Sequence, residues 1–159
     1  MLDAGGGEKI PSLSEVLDRY GGRFLINIEL KNYGSIFDAL PLKVARLVKS
    51  FGLAESVLIS SFNPFNLPRY RRLVPEASLG LITLPNKARH WLYRLFNYSA
   101  LHPHYDDVDQ ALVSTLHTKN QQVNVWTPDE PEEIRRLADL KVDGIITNYP
   151  QRARETLES

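Results

Sequence analysis

Strand-like and helix-like stretches alternate six times along this chain, and successive strands begin roughly 20–30 residues apart. That spacing is too long for hairpins and fits βα units, so the chain should build a parallel sheet with helices outside it. Apolar patterning predicts strands at 24–30, 56–61, 77–83, 99–101, 122–126 and 143–147. Between and around them it predicts helices at 13–20, 40–51, 64–73, 86–97, 107–119, 129–140 and 150–157. Ser12 with Glu15 three residues on is a capping-box signature for the helix at 13–20, with Gly21-Gly22 as its stop. Residues 1–9 are glycine-rich and read as loop, as do residues 32–35.

A doubly wound sheet and a (β/α) barrel both fit this alternation. No Gly-x-Gly-x-x-Gly follows a strand, which lowers the dinucleotide-binding alternative. Polar or aromatic residues close nearly every strand: Glu29 and Lys31, Ser61-Phe62-Asn63, Thr83, His102, Trp126-Thr127 and Thr147-Asn148. A barrel gathers all of these around one mouth, whereas an open sheet scatters them along an edge.

The run Phe24-Leu-Ile-Asn-Ile-Glu-Leu-Lys31 is the most informative stretch. Its apolar part suits a strand buried on both faces. The two-residue period of a strand puts Glu29 and Lys31 on the same side at its C-terminal end. A carboxylate and an ammonium there are either a structural ion pair or working groups. The same period sets Asn124 and Trp126 on the side opposite Val123 and Val125. If the valines face helices, Trp126 faces the barrel axis.

Bulk properties exclude several classes. Lys plus Arg and Asp plus Glu both number 19 in 159 residues, so no basic footprint for nucleic acid exists. The chain has no Cys, which removes disulfides and thiolate metal sites. No apolar run is long enough to cross a bilayer, and residues 1–15 do not read as a signal peptide. Residues 86–98 hold Lys87, Arg89, His90, Trp91, Tyr93, Arg94 and Phe96. An interfacial membrane helix has such a composition, but an outer barrel helix with snorkelling side chains is commoner and is preferred here.

Six segments occur in an order that resembles one family. They are Leu2-Asp3-Ala4-Gly5, Ile10-Pro-Ser-Leu-Ser-Glu-Val-Leu17, Asn27-Ile28-Glu29-Leu30-Lys31, Ser60-Ser61-Phe62-Asn63, Val125-Trp126-Thr127 and Val142-Asp-Gly-Ile-Ile-Thr-Asn-Tyr-Pro150. Together they resemble the C-terminal part of the glycerophosphodiester phosphodiesterases, over essentially the whole chain. The resemblance implies one truncated domain over residues 1–159. Its fold would be a partial TIM (β/α)8 barrel of the PLC-like phosphodiesterase type, holding strands three to eight of eight. It implies a phosphoric diester hydrolase, which releases an alcohol and glycerol 3-phosphate with a divalent cation, Mg²⁺ or Ca²⁺.

By the same resemblance Glu29 is a metal carboxylate and Lys31 lies near the phosphoryl oxygens. Phe62 and Trp126 would line the glycerol side, and His102, before Pro103, would contact phosphate or water. The family's His-Arg-Gly, Glu-Asn-Thr, Glu-x-Asp and His-Asp segments do not occur here, and none of His90, His102, His104 or His117 matches its acid–base pair. We therefore expect the chain to be inactive alone, with activity residing in a longer protein. Two alternatives stand beside this: a non-catalytic phosphate-binding or interaction remnant, and a sphingomyelinase-type phospholipase D on the same scaffold. Asn148 stands where the family more often has Asp. We expect a cytoplasmic location, any leader lying upstream.

Overall fold

The computed structural model describes residues 3–5, 8–32 and 38–158. A small antiparallel ladder, β1 (Asp3–Gly5) with β2 (Glu8–Lys9), precedes the main body. Then follow α1 (Leu13–Tyr20), β3 (Ile26–Glu29), α2 (Leu40–Ser50), β4 (Val57–Ser61), α3 (Asn66–Leu73), β5 (Ser78–Ile82), β6 (Ala100–His102), α4 (Gln110–His117), β7 (Gln122–Trp126), α5 (Pro131–Asp139), β8 (Gly144–Ile146) and α6 (Pro150–Glu158). Strands β3 to β8 form one six-stranded parallel sheet in sequence order, with β3 and β8 at its edges. It is a partial barrel, as the resemblance implied, and the alternative of a doubly wound sheet falls because the strands pair in sequence order.

Local chemistry accounts for the elements. Ser12 Oγ accepts from Glu15 N–H at 3.3 Å, and the Ser12 N–H donates to the Glu15 carboxylate at 2.7 Å. The two bonds satisfy orphan donors at both ends of the box and start α1. Helix α2 stops where Gly52 takes φ +68°, a conformation that glycine reaches without strain. Strand β4, Val-Leu-Ile-Ser-Ser, is buried at every position, because the helices cover one side and the barrel interior the other. Val44, Val48, Ile59, Leu67, Leu79, Leu101, Val123 and Val125 lie in the core between sheet and helices.

Four expectations are corrected. The apolar run at 24–30 is strand only from Ile26, and Phe24 and Leu25 stand exposed. Pairing with β4 begins at Ile26 opposite Val57, so the earlier residues have no neighbouring strand to join. The glycine-rich start is not all loop, since backbone pairing between β1 and β2 needs no apolar side chains. The helix expected at 86–97 is a 3₁₀ turn over Trp91–Leu95. Asn86 sits at φ 62°, and the Asp107 carboxylate holds the N–H groups of Asn86 and Lys87, which stops a helix from starting there. The helix expected from 107 begins at Gln110, after a separate 3₁₀ turn over Tyr105–Asp107. The expected loop at 33–35 and Leu2 of the first segment lie outside the described residues.

Tyr70 on α3 is fully buried, and its hydroxyl has no hydrogen-bond partner among the described residues. Burial, reinforced by the Glu76 charge, pushes the phenol up to about 12. An unsatisfied buried hydroxyl carries its desolvation cost without return. Tyr70→Phe is therefore expected to leave stability unchanged or raise it by up to about 1 kcal/mol. Urea unfolding measures this; a loss above about 1 kcal/mol would show that the hydroxyl is bonded.

Candidate active site

The parallel register decides which side chains meet inside the partial barrel. Asn27 and Glu29 point inward from β3, Phe62 from the end of β4, Ile82 from β5, His102 from β6, Trp126 from β7 and Ile146 from β8. Together with Lys31 and Thr127 they line one pocket of about 290 Å³ at the C-terminal ends of the strands. All five residues singled out from the sequence, Glu29, Lys31, Phe62, His102 and Trp126, are thus on its wall.

A buried polar network holds the acidic corner. The Asn32 and Asn66 amides donate to one another reciprocally, and Asn66 Nδ2 also donates to Ser61 Oγ at 2.9 Å. Ser61 Oγ in turn donates to the Leu30 carbonyl at 2.8 Å. Every member is out of water, so the network ties the end of β3 firmly to β4 and α3. Glu29 and Lys31 flank that anchor. Lys31 Nζ lies 3.6 Å from Glu29 Oε2, and Lys31 is mostly exposed. Glu29 Oε1 is buried with no hydrogen-bond partner among the described residues. A carboxylate oxygen left so is expensive unless something cationic completes it.

The aromatic side is equally fixed. Trp126 Nε1–H donates to the His102 carbonyl at 3.0 Å, and its backbone N–H donates to Pro103 O at 3.1 Å. Phe62 meets the indole edge-on at 5.6 Å, and His104 does so at 5.0 Å. Phe62 is only half-buried, so it is a wall rather than core packing.

His102 is neither a surface nor a capping histidine. It is 1% exposed at the pocket floor, its Nε2 stands 3.2 Å from the Asn124 amide, and its Nδ1 has no partner among the described residues. Burial drives the imidazole down to about 4, so it is neutral at physiological pH. Gly80 makes room for it: a Cβ at Gly80 would lie 2.7 Å from the His102 Nε2. The other histidines do not line the pocket. His90 and His104 accept from backbone N–H groups of their own turns, and His117 pairs with Asp143 at 2.9 Å.

Sequence reading missed Asn27, Gly80 and Asn124. The two-residue period that aligned Glu29 with Lys31 also aligns Asn27 with them, so that signal was available. Alternation already set Asn124 on the side of Trp126, but nothing local marks its contact with His102 or the need for Gly80, which come from strands next to their own. Asn148, standing where Asp is commoner, donates its side-chain amide to Asp129 at 2.8 Å and its N–H at 2.9 Å. These bonds and the Thr147 hydroxyl hold the Asp129 carboxyl below its usual range. An Asp at 148 would oppose that carboxylate instead of donating to it.

A family model described as the glycerophosphoryl diester phosphodiesterase family matches residues 3–152. A glycerophosphodiester phosphodiesterase of Caldanaerobacter subterraneus subsp. tengcongensis is 33% identical, over 94% of this chain and 65% of its own length. A crystal structure described as a putative glycerophosphodiester phosphodiesterase from Galdieria sulphuraria is similar with a TM-score of 0.85, at 25% identity, over 99% of this chain and 68% of that one. An Oleispira antarctica phosphodiesterase, solved in complex with the product sn-glycerol-3-phosphate, is similar with a TM-score of 0.80, at 25% identity, over 94% of this chain and 62% of that one. The chain thus spans a little under two thirds of the curated relative's length.

Proposed function

The chain belongs to the glycerophosphoryl diester phosphodiesterase family, and from that premise we propose that it forms the phosphate- and glycerol-binding side of a metal-dependent phosphodiesterase site. The reaction is hydrolysis of a glycerophosphodiester to an alcohol and glycerol 3-phosphate. One observation carries this reading: a buried, unpartnered carboxylate oxygen of Glu29 shares one pocket with the Lys31 ammonium and the Phe62 and Trp126 rings.

The donor set fits a hard divalent cation in part. Glu29 Oε1 has the burial and the missing partner that a Mg²⁺ or Ca²⁺ contact explains. No group of three or more His, Asp or Glu stands together among the described residues, so Glu29 is one ligand and other oxygens complete the set. The cation, when bound, offsets charge on the phosphoryl oxygens. Lys31 reaches the same oxygens from the exposed rim and offsets charge that grows in the transition state. Phe62 and Trp126, packed edge to face, offer one apolar wall to the carbon skeleton of the glycerol. His102, neutral and buried at the floor, has no second histidine beside it in the pocket wall to complete an acid–base pair. The proton-transfer pair is therefore supplied from outside these residues.

Trp126 reports on this pocket. In a Trp91→Phe background it is the one indole left, because the sequence has two. Titration with glycerol 3-phosphate should change its emission, more tightly with Ca²⁺ or Mg²⁺ present. Glu29→Ala should abolish the metal dependence, and Lys31→Ala should weaken binding about tenfold. Binding indifferent to metal and to both substitutions would refute the reading. The chain alone should show no turnover of glycerophosphodiesters with either cation. Turnover abolished by Glu29→Ala would place an acid–base group inside the chain.

A further inference from the structure

We propose that the loop after β5, residues 84–98, docks the mouth of the partial barrel on an anionic lipid surface. The inference does not depend on what the pocket hydrolyses. The helix expected there does not form. An outer barrel helix would bury an apolar stripe, but the short 3₁₀ turn leaves Trp91 66% and Leu95 69% exposed. Leu84 at the start of the loop is 56% exposed. Phe65, at the end of β4's loop, is 49% exposed and meets Phe96 of the turn edge-on at 5.4 Å. Single exposed apolar residues are ordinary, but large ones gathered on one loop are not.

Charge accompanies this surface. Between Glu76 and Asp106 the chain carries Lys87, Arg89 and Arg94 and no acidic residue. Arg89 is paired with Asp109, whereas Lys87 and Arg94 form no ion pair among the described residues. Behind the turn, Arg89, Arg94 and Lys119 flank a cavity of about 150 Å³. Exposed tryptophan and leucine on one loop with two cations that form no ion pair among the described residues match the composition of an interfacial lipid contact, and a phosphate-bearing headgroup complements those cations. No helix among the described residues is long and apolar enough to cross a membrane.

The loop is held in place rather than left to order on contact. The Asp107 carboxylate accepts from Asn86 N–H at 2.9 Å and Lys87 N–H at 3.3 Å, and Arg89 donates to the Asp107 carbonyl at 3.4 Å. A surface fixed beforehand loses less entropy when it docks. Position also matters. Strand β5 has β4 and β3 on one side and β6, β7 and β8 on the other, so strands added at the sheet edges would not cover its loop. Leu84 and Tyr93 share an apolar groove with Phe62 and Ile82, and those last two also line the candidate active site. The docked face would thus open toward the pocket.

Flotation with vesicles tests this on the chain itself, and it separates lipid-bound protein from any aggregate formed through the open sheet edges. Vesicles of phosphatidylcholine alone are compared with equimolar phosphatidylcholine and phosphatidylglycerol. The chain should float with the anionic vesicles only, and less as salt rises. Arg94→Gln and Lys87→Gln should each lower partitioning about fivefold, and Trp91→Ser with Leu95→Ser should abolish it. These side chains are exposed, and unchanged circular dichroism of each variant excludes misfolding. In a Trp126→Phe background, Trp91 emission should shift to the blue on anionic vesicles. Equal flotation with both vesicles, or flotation indifferent to the loop substitutions, overturns the proposal. No flotation with either also overturns it and leaves a protein as the partner of this face.

Discussion

Lowering the pH from about 7 to about 4.5 should remove about 2.5 kcal/mol of folding stability through His102 alone. The imidazole is 1% exposed and has no carboxylate partner, and burial depresses it to about 4 from an ordinary value of 6.5. Between those two values the unfolded chain binds a proton that the folded chain refuses. Stability from this group is therefore complete above about pH 6.5, falls as pH drops toward 4, and is exhausted below that. Carboxylates held below their usual range, such as Asp109 and Asp129, add their own losses only at lower pH. Urea unfolding at about pH 7 and about pH 4.5 measures the difference. His102→Asn keeps a neutral polar group beside Asn124 and should flatten the dependence across that window. A wild-type chain equally stable at both pH values would mean that the ring reaches water or gains an acidic partner.

Gly80→Val should destabilise the chain by about 3 kcal/mol or more, with Gly80→Ala roughly half as damaging. A Cβ at this position lies 2.7, 2.9 and 3.3 Å from three atoms of the His102 ring. The ring has little room to retreat. The same Nε2 that the Cβ would strike also meets the Asn124 amide, and a Cβ at Gly144 would in turn stand 2.5 Å from the Asn124 Oδ1. Glycine at 80 and 144 thus brackets a row in which imidazole and amide fill the barrel floor. Neither glycine is at positive φ, so the effect is one of space and not of backbone strain. The discriminating measurement is a double substitution. Gly80→Val with His102→Ala removes the ring that the valine strikes, and its loss should be smaller than the sum of the two single losses by about 1 kcal/mol or more, an order-of-magnitude figure for residues in contact. Strict additivity would show that a side chain at position 80 and the His102 ring do not compete for the same space.

How far the residues alone reached can be judged position by position. The capping box at Ser12 and Glu15 is local chemistry within one turn, and it is present as read. The shared side of Glu29 and Lys31 follows from the pleat, and both line the same pocket. Alternation set Trp126 on the side opposite Val123 and Val125; the valines are in the core and Trp126 lines that pocket. The segment 86–97 misled because its apolar residues recur at helical spacing. Asp107, some twenty residues on, holds its start in another conformation, and no window on the segment contains that carboxylate. Phe24 and Leu25 misled for a related reason: an apolar run does not say where its partner strand begins.

Sequence by itself determined the βα alternation, the parallel sense of the strands, the side of each strand on which a residue falls, and the polar and aromatic residues gathered at their ends. Each depends on a short-range period or a cap, which a few consecutive residues specify. Tertiary structure alone decided the depth of His102, the need for Gly80 and Gly144, the Asn32–Asn66–Ser61 anchor beneath Glu29, and the outward turn of Trp91 and Leu95. Those features arise where strands and loops far apart in the chain are brought side by side. The distance between two such side chains is set by the register across several strands, and no single stretch of residues carries that register.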